Sequence, residues 1–442
     1  MTVLPFLTAW DPTDLPGASV DPLGFDRSYN WLADQLLPSL TNVASQPRYF
    51  SLLCAGASLG PTPEAPTPTR REIVARQEVV LRLERLWALG HALLETEVAG
   101  TSSGIRGVTY AHSHLQELER KKSRSTTTKF KLLLSQGRYG VLGIYGNVAS
   151  GLRLTERGTL GLTPDFGERL GKVFLESSDT PASVRRAALD ESEKTEVGLN
   201  DLAEWVRRSG VNASMADEEF KLLAGAVNEH ERRRRVGYYL EKVRWKVNKE
   251  TELEYLHRLE DKLSTQDDDL RDLARAVRLF ELCYRTATLV LERLLWRCGQ
   301  EASVTLKSLT RDDVLKKTAE AFPFAIKEFL DHADGAASGA VQPGAERMMD
   351  LRRFLSDAAE ASGDVGKMVE VTVKRHAEVQ AGKFVRGRAK LPWLEVLDGR
   401  LQLTLAQSNQ VNGEPTEAPD IAPHEYRLRT ARALLFGNEA RE

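Results

Sequence analysis

The stretch that decides the fold is QDDDLRDLARAVRLFELCYRTATLVLERLLWRCG, residues 266–299. It begins with Gln266 and three aspartates, and acidic side chains at this place stabilise the positive end of a helix dipole. Apolar side chains then recur every three or four residues, as on one face of an α-helix, at Leu270, Leu273, Val277, Phe280, Tyr284, Ala287, Leu291 and Leu294. The pattern predicts a long helix over 268–299 at the centre of a hydrophobic core.

Most of the remaining sequence has the same helical periodicity. Thr69 and Glu72 have the spacing of a capping box and predict the start of a helix that continues to about residue 97. Further amphipathic segments predict helices over 183–208, 215–247, 249–265 and, near the end of the chain, 424–436. We therefore predict a mainly α, multi-helix protein.

A small β-hairpin is predicted near the C-terminus. Residues 391–397 and 400–405 alternate between apolar and polar side chains, and Asp398 and Gly399 separate them. An Asp-Gly pair between alternating segments is typical of a two-residue hairpin turn, because both positions require positive φ angles.

Residues 126–176 lack the long helical periodicity of the other segments, and their pattern predicts a winged-helix-like insert. Short helices are predicted over 130–134 and 147–152, followed by a hairpin over 154–162. Thr163 then provides an N-cap and Pro164 a first helical residue for a third helix. Helix, turn, helix, hairpin and helix is the order of elements in a winged helix.

These observations divide the sequence into five segments. They are an N-terminal arm with short helices (1–60), a Pro-rich linker and long helix (61–125), the winged-helix-like module (126–180), a helical core (181–340), and a C-terminal helix, β-hairpin and terminal helix (341–442).

Composition excludes several classes of protein. The 442 residues include 61 Lys and Arg against 63 Asp and Glu, so the net charge of −2 excludes a globally basic coat but permits a local basic face. Three cysteines are too few for a disulfide scaffold and indicate a reducing compartment. Because no apolar run reaches about 18 residues, we expect no membrane span. The prediction is a cytoplasmic protein.

Motifs for catalysis or cofactor binding are weak. No Gly-Lys pair is followed by the hydroxyl residue of a phosphate-binding loop, and no G-x-S-x-G motif is present. His112 and His114 are the only close histidine pair, which is too little for a structural zinc site. Glu191 to Lys194 have the letters of a nuclease motif, but in a charged context that predicts a solvated helix face. We expect no catalytic residue, no metal and no cofactor.

Basic clusters are the strongest functional signal. On a helix, Arg232, Arg235, Tyr239 and Lys242 would share one face, where guanidinium groups beside a phenol suit phosphate contacts and stacking. The candidate nucleic-acid-binding residues are Arg232, Arg233, Arg235, Tyr239, Lys242, Arg120, Lys121, Lys122 and, beside the predicted wing, Arg153 and Arg157. A third cluster comprises Lys374, Arg375, His376, Lys383, Arg386, Arg388 and Lys390. Interspersed acids leave open that each cluster is only a solvated or salt-bridged face.

Several patches of sequence resemble a family. The patches are Asp21–Gly24, Leu37–Val43, Pro47–Ser51, scattered positions between Tyr139 and Phe174, and the hairpin around Trp393. Together they are similar to bacterial proteins of about this size that are encoded in genomic islands with antiphage-defence and DNA-processing genes. The resemblance implies a prokaryotic defence or mobile-element context and carries no catalytic residues.

The functional hypothesis is a non-enzymatic, DNA-associated subunit of a bacterial antiphage defence system. It would hold the backbone of DNA, most simply double-stranded, or dock other defence proteins, or do both. Two alternatives stay open: a nuclease effector with a dispersed active site, and a pure protein–protein scaffold for a helicase, ATPase or nuclease partner.

Overall fold

The structure is a computed structural model and describes residues 21–61, 67–95, 104–246, 249–263, 267–301, 303–337, 345–361, 363–385, 388–404 and 413–437. Residues 1–20, which belong to the predicted N-terminal arm, lie outside this part of the chain. The first helices in chain order are α1 (Asp26–Leu36), α2 (Pro47–Leu59), α3 (Arg70–Glu95), α4 (Val108–Arg120), α5 (Gln136–Tyr139), α6 (Val141–Gly151), α7 (Arg169–Ser177), α8 (Ala182–Leu189) and α9 (Leu199–Ser209).

The later helices are α10 (Asp217–Asn228), α11 (Glu231–Lys242), α12 (Glu252–Lys262), α13 (Asp268–Gln300), α14 (Leu306–Leu309), α15 (Asp313–Ala337), α16 (Ala345–Glu360), α17 (Val365–Ala381) and α18 (Leu428–Phe436). The strands are short: β1 (Ser125–Thr126), β2 (Val197–Gly198), β3 (Val304–Thr305), β4 (Phe384–Val385), β5 (Arg388–Ala389), β6 (Leu394–Leu397) and β7 (Arg400–Leu403). The prediction of a mainly α protein is confirmed.

Two compact units make up the chain, and each is discontinuous in sequence. Unit 1 takes the residues up to Gln35 together with Leu253–Glu425. Unit 2 takes Leu36–Glu252 together with the residues from Tyr426 onward. The five-segment division made from the sequence stays a prediction.

Unit 1 is built around α13. The side chain of Asp267 caps this helix by accepting a hydrogen bond from the backbone N–H of Leu270, at 3.1 Å. Helices α15 and α17 pack against α13. The rings of Phe280, on α13, and Phe25 lie 5.7 Å apart in an edge-to-face arrangement, and both side chains are fully buried. The prediction of a long central helix over 268–299 is therefore confirmed.

The C-terminal hairpin of unit 1 forms as predicted. Leu397 on β6 pairs with Arg400 on β7, which leaves Asp398 and Gly399 as the two turn residues. Their φ angles are 50° and 72°, in the left-handed region that this tight turn requires. Strand β3 extends the hairpin to three strands by pairing antiparallel with β7. This third strand was not predicted, because its partner lies about a hundred residues away in the sequence.

Unit 2 is organised around α3, which packs against α2, α4, α6, α8 and α9. The predicted capping box forms at its start: Glu72 donates its backbone N–H to the Thr69 hydroxyl, and Thr69 donates its backbone N–H to the Glu72 carboxylate. Trp87, on α3, is fully buried and contacts the ring of Tyr49 edge to face at 5.0 Å. Its indole N–H donates to the Ser209 hydroxyl, so this large side chain leaves no polar group unsatisfied.

Two long predicted helices of unit 2 are wrong in extent. The segment 183–208 is divided into α8 and α9, with β2 between them. The segment 215–247 is divided into α10 and α11 at His230, whose backbone is extended with φ −90° and ψ 124°. The His230 ring accepts a hydrogen bond from the N–H of Arg232, which provides a new N-cap. Periodicity continued through this break because α10 and α11 each have an apolar face.

The winged-helix-like insert is not confirmed. The predicted hairpin over 154–162 is reduced to a single bridge between Thr155 and Leu162. The predicted helix at 130–134 is absent, and a short helix follows it at Gln136–Tyr139 instead. Thr163 does cap a helical segment, which begins as a π turn at Pro164–Glu168 before α7. Helices α6 and α7 pack against α2, so these residues contribute to the packing of unit 2.

Candidate nucleic-acid interface

Helix α11 lies with one face in the interior of unit 2. Val236, Gly237 and Leu240 are buried on this face. Arg233 lies three, four and seven residues before them, so its side chain is on the same face. A side chain placed at Gly237 would contact Leu435 of α18 at 2.7 Å, so the two helices are in close contact there. The face predicted from the sequence, which contains Arg232 and Tyr239, is rotated by about one residue from the exposed face, which contains Arg234 and Tyr238.

Arg233 is therefore not available to a phosphate, which corrects its assignment as a nucleic-acid-binding residue. Its side chain is only 2% exposed. Its guanidinium donates to the carbonyls of Ala226 and Val227 in the last turn of α10, at 3.2 and 2.8 Å, and to that of Gly151 at the end of α6. A further bond goes to the carbonyl of Pro38. Burial lowers the pKa of Arg233 to about 10, so it remains a cation at neutral pH.

The exposed tyrosine is Tyr238 rather than Tyr239. Tyr238 is 47% exposed, whereas Tyr239 is 9% exposed. The ammonium of Lys242 lies 4.3 Å from the centre of the Tyr238 ring, within the range of a cation–π interaction. Hydrogen bonding to Tyr238 raises the pKa of Lys242, so this exposed lysine stays charged. Arg234 is also exposed, and Arg232 and Arg235 are half-buried at the edge of this face.

Helix α18 adds cations that the sequence did not assign to this surface. Arg429 and Arg432 lie over the ring of Trp245, three residues after α11, with 5.9 and 6.0 Å between guanidinium carbon and ring centre. Since Leu435 lies beside Gly237 and Arg432 beside Trp245, α18 runs antiparallel to α11. Arg429 is exposed and Arg432 is half-buried.

A buried carboxylate fixes the position of α18. Glu252 is 4% exposed and accepts hydrogen bonds from the backbone N–H groups of Tyr426 and Arg429. The N–H of Arg429 belongs to the first turn of α18, where no partner within the helix is available, and Tyr426 lies two residues before the helix. The carboxylate therefore holds the start of the helix that carries Arg429 and Arg432.

We call this surface the α11–α18 face. Its cationic and aromatic members are Arg232, Arg234, Arg235, Tyr238 and Lys242 on α11, Arg244 and Lys246 after it, and Arg429 and Arg432 on α18. The acids beside them are Glu231 and Glu241 on α11, Glu229 before it, and Glu250, which accepts a hydrogen bond from the N–H of Lys246. The cations outnumber these acids. The sequence already indicated which side of α11 is buried, because the apolar residues Val236 and Leu240 lie on that side.

Arg153 lies close to the α11–α18 face, and the other predicted cations do not join it through any contact of the described residues. Arg153 is exposed and forms an ion pair of 3.1 Å with Glu229, which directly precedes the start of α11. Arg157 is exposed in the turn that follows Arg153. Arg120, Lys121 and Lys122 are exposed at the C-terminal end of α4, where cations stabilise the negative end of a helix dipole.

The third basic cluster is in unit 1 and is mainly structural. Arg375 is 8% exposed and donates to the carbonyl of Leu23, and His376 bonds the carbonyl of Pro22. Lys383 donates to the carbonyl of Asp21. The side chains of Arg375, His376 and Lys383 thus bind the backbone of residues 21–23. These residues belong to the patch Asp21–Gly24 named above. Arg386 lies outside the described residues.

The residues that were considered as metal ligands or as part of a nuclease motif form ion pairs or stack on aromatic rings instead. His112 pairs with Glu95 at 2.7 Å, and His114 stacks on Phe130 with 4.2 Å between ring centres. Glu193 pairs with Arg85 at 2.5 Å, in a turn rather than on the predicted helix face. Within the described residues, no group of three or more His, Cys, Asp or Glu side chains could hold a metal ion. No helix of the described part of the chain is long and apolar enough to cross a membrane.

The α11–α18 face combines arginines, an exposed tyrosine and a second helix held by Glu252. No protein-family model, no curated protein and no solved structure matches this chain.

Proposed function

We propose that this protein is a non-enzymatic, DNA-associated subunit of a bacterial antiphage defence system, and that it holds the DNA backbone on the α11–α18 face. The observation that carries the proposal is the excess of guanidinium and ammonium groups on two helices packed side by side. Arginine forms two parallel hydrogen bonds to a phosphate, and the Tyr238 hydroxyl adds a donor. The predicted cytoplasmic location is part of the same proposal.

The burial of α11 favours backbone contact over reading of bases. A recognition helix must project far enough to enter the major groove of the duplex. Helix α11 has Arg233, Val236 and Leu240 in the interior, so only its outer side chains can meet DNA. Phosphate contacts of this kind are independent of sequence and depend strongly on salt. We therefore propose sequence-independent binding of double-stranded DNA.

The defence context and the partner proteins rest on the resemblance of the patches around Asp21–Gly24, Leu37–Val43 and Pro47–Ser51. In the proposed complex, this protein binds the DNA backbone, and any catalytic activity belongs to another subunit. The predicted winged helix is not needed for this role, because the α11–α18 face is formed by other elements.

The test is fluorescence anisotropy with a labelled duplex between about 50 and 200 mM salt, where several phosphate contacts cost orders of magnitude in affinity. We expect the triple variant Arg234→Glu, Lys242→Glu and Arg429→Glu to bind at least tenfold more weakly. Its plot of log affinity against log salt should be flatter by about 3 units, since each lost phosphate contact removes roughly 0.9. Arg233 is left unchanged because it supports the fold.

A matched control reverses three exposed cations elsewhere in unit 2, with Lys172→Glu, Arg186→Glu and Lys194→Glu. This variant has the same net charge as the test variant and should keep most of the affinity. Equal losses in both variants would show that only overall charge matters, and would contradict the assignment of the face. No binding by the unchanged protein at low salt would contradict the DNA proposal itself and favour the scaffold alternative.

A further inference from the structure

Unit 1 has a groove between α16 and α17, which are consecutive helices. Its volume is about 320 Å³, at the small end of the range of ligand pockets. Arg353 and Glu378, whose side chains approach to 3.4 Å, lie across one end of it. Phe354, Ala361 and Val371 form its apolar lining. The size fits a molecule of a few to about a dozen heavy atoms.

A buried guanidinium lies in this groove. Arg375 is 8% exposed, and its Nε donates to the carbonyl of Leu23 at 2.9 Å. The guanidinium lies 5.8 Å from the centre of the Phe354 ring. Gly24 allows it to lie this close to the backbone, because a Cβ there would be 2.6 Å from Nη2. No hydrogen bond or ion pair within the described residues engages its terminal amino groups.

A buried charge of this kind is costly unless it is paired. Burial lowers the pKa of Arg375, while the charges of Asp350, Glu378 and Asp21 act in the opposite direction. Carboxylates are the natural partners of a guanidinium, because two parallel hydrogen bonds can form. The groove therefore offers a place for one anionic group at its inner wall.

The groove lining carries both charges in equal number. Its cations are Arg353, Lys367, Lys374 and Arg375, and its anions are Asp357, Glu360, Glu370 and Glu378. A simple anion or a simple cation gains little net attraction from such a lining, because the attractive and repulsive terms offset each other. A molecule that carries both charges, separated by a short distance, satisfies both sets.

We propose that the α16–α17 groove binds a zwitterion of the amino-acid class with an apolar side chain. Its carboxylate would meet Arg375, its ammonium would face Asp357 and Glu370, and its side chain would cover Phe354 and Val371. The proposal does not depend on DNA binding, since it concerns residues of unit 1 and none of the α11–α18 face.

The experiment uses the full chain and L-leucine as the probe, with binding measured by isothermal titration and by saturation-transfer NMR. Two half-ligands are compared with it: 4-methylpentanoate, which lacks the ammonium, and isoamylamine, which lacks the carboxylate. We expect L-leucine to bind at least tenfold more tightly than either half-ligand. Equal affinities for the three compounds, or no binding of L-leucine at millimolar concentration, would overturn the proposal.

Variants locate the site. Arg375→Gln should reduce the affinity for L-leucine at least tenfold. Because Arg375 also holds Leu23 and its loss can unfold the protein, a second variant combines Asp357→Asn and Glu370→Gln, both of which are exposed. This pair should weaken L-leucine severalfold, whereas 4-methylpentanoate should bind equally well or more tightly, because two repelling carboxylates are removed. Arg352→Gln, on α16 but outside the groove lining, is the matched control. Unchanged affinity in the acidic double variant would overturn the assignment of the groove.

Discussion

Replacing Arg233 with methionine is expected to lower the free energy of unfolding of unit 2 by about 2 to 4 kcal/mol, because several buried carbonyls lose a charged donor. Four backbone carbonyls lose their donor, two of them in the last turn of α10 and one at the end of α6. A buried carbonyl without a partner costs roughly 1 to 3 kcal/mol. Relief from burying the charge offsets part of this cost.

The matched control is Arg234→Met, one residue further along α11. Arg234 is exposed, so its replacement should change the free energy of unfolding by less than about 0.5 kcal/mol. Urea unfolding of both variants, followed by pulsed hydrogen exchange of peptides from α10 and α11, separates this unit from the rest of the chain. Equal midpoints for the two variants would contradict the structural role of Arg233.

The stability of unit 1 is expected to be greatest near pH 6.5 and to fall on both sides, because two histidines titrate in opposite directions. His424 lies against Tyr29, with 4.3 Å between ring centres, and its Nδ1 is 2.7 Å from the buried carboxylate of Glu281. Burial opposes its charge, but Asp26 and Glu281 outweigh burial and raise the pKa of His424 to about 9. His424 therefore stabilises the protein fully below about pH 6.5, and this contribution is lost as the pH rises through 9.

His376 has the opposite dependence. Its Nε2 accepts from the N–H of Trp393, and its Nδ1 bonds the carbonyl of Pro22, so the ring is a neutral connector between two chain segments. Burial, aided by the charge of Lys383, lowers the pKa of His376 to about 4 despite the bond to Pro22. The unfolded chain takes up this proton first, so stability is present above about pH 6.5 and is lost as the pH falls through 4.

Each of these pKa changes corresponds to about 3 kcal/mol. Urea midpoints of unit 1 at pH 4, 6.5 and 9.5, followed by pulsed hydrogen exchange of α13 peptides, measure both limbs. His424→Gln should flatten the alkaline limb only, and His376→Gln the acid limb only. His257→Gln, at an exposed position of α12, should leave both unchanged. If neither variant alters its own limb, other groups control the pH dependence.

Prediction from sequence succeeded where the signal was local. The spacing of apolar residues after Asp267 and the Asp398-Gly399 pair each define an element with its own backbone requirements, and both elements form as predicted. Prediction failed where an element depends on what packs against it. The break at His230 separates two amphipathic helices, and the glycine-rich region around residue 140 lies in unit 2 because α6 packs on α2 and α3.

The basic cluster on α11 shows the same division. Its sequence determined that a helix with many arginines would form, and the apolar residues Val236 and Leu240 already marked its inner side. Only the tertiary structure decided that Arg233 meets the ends of α6 and α10, and that Arg429 joins the same surface. The physical reason is that helix periodicity is local, whereas α18, which covers one face of α11, lies about 200 positions away in the sequence.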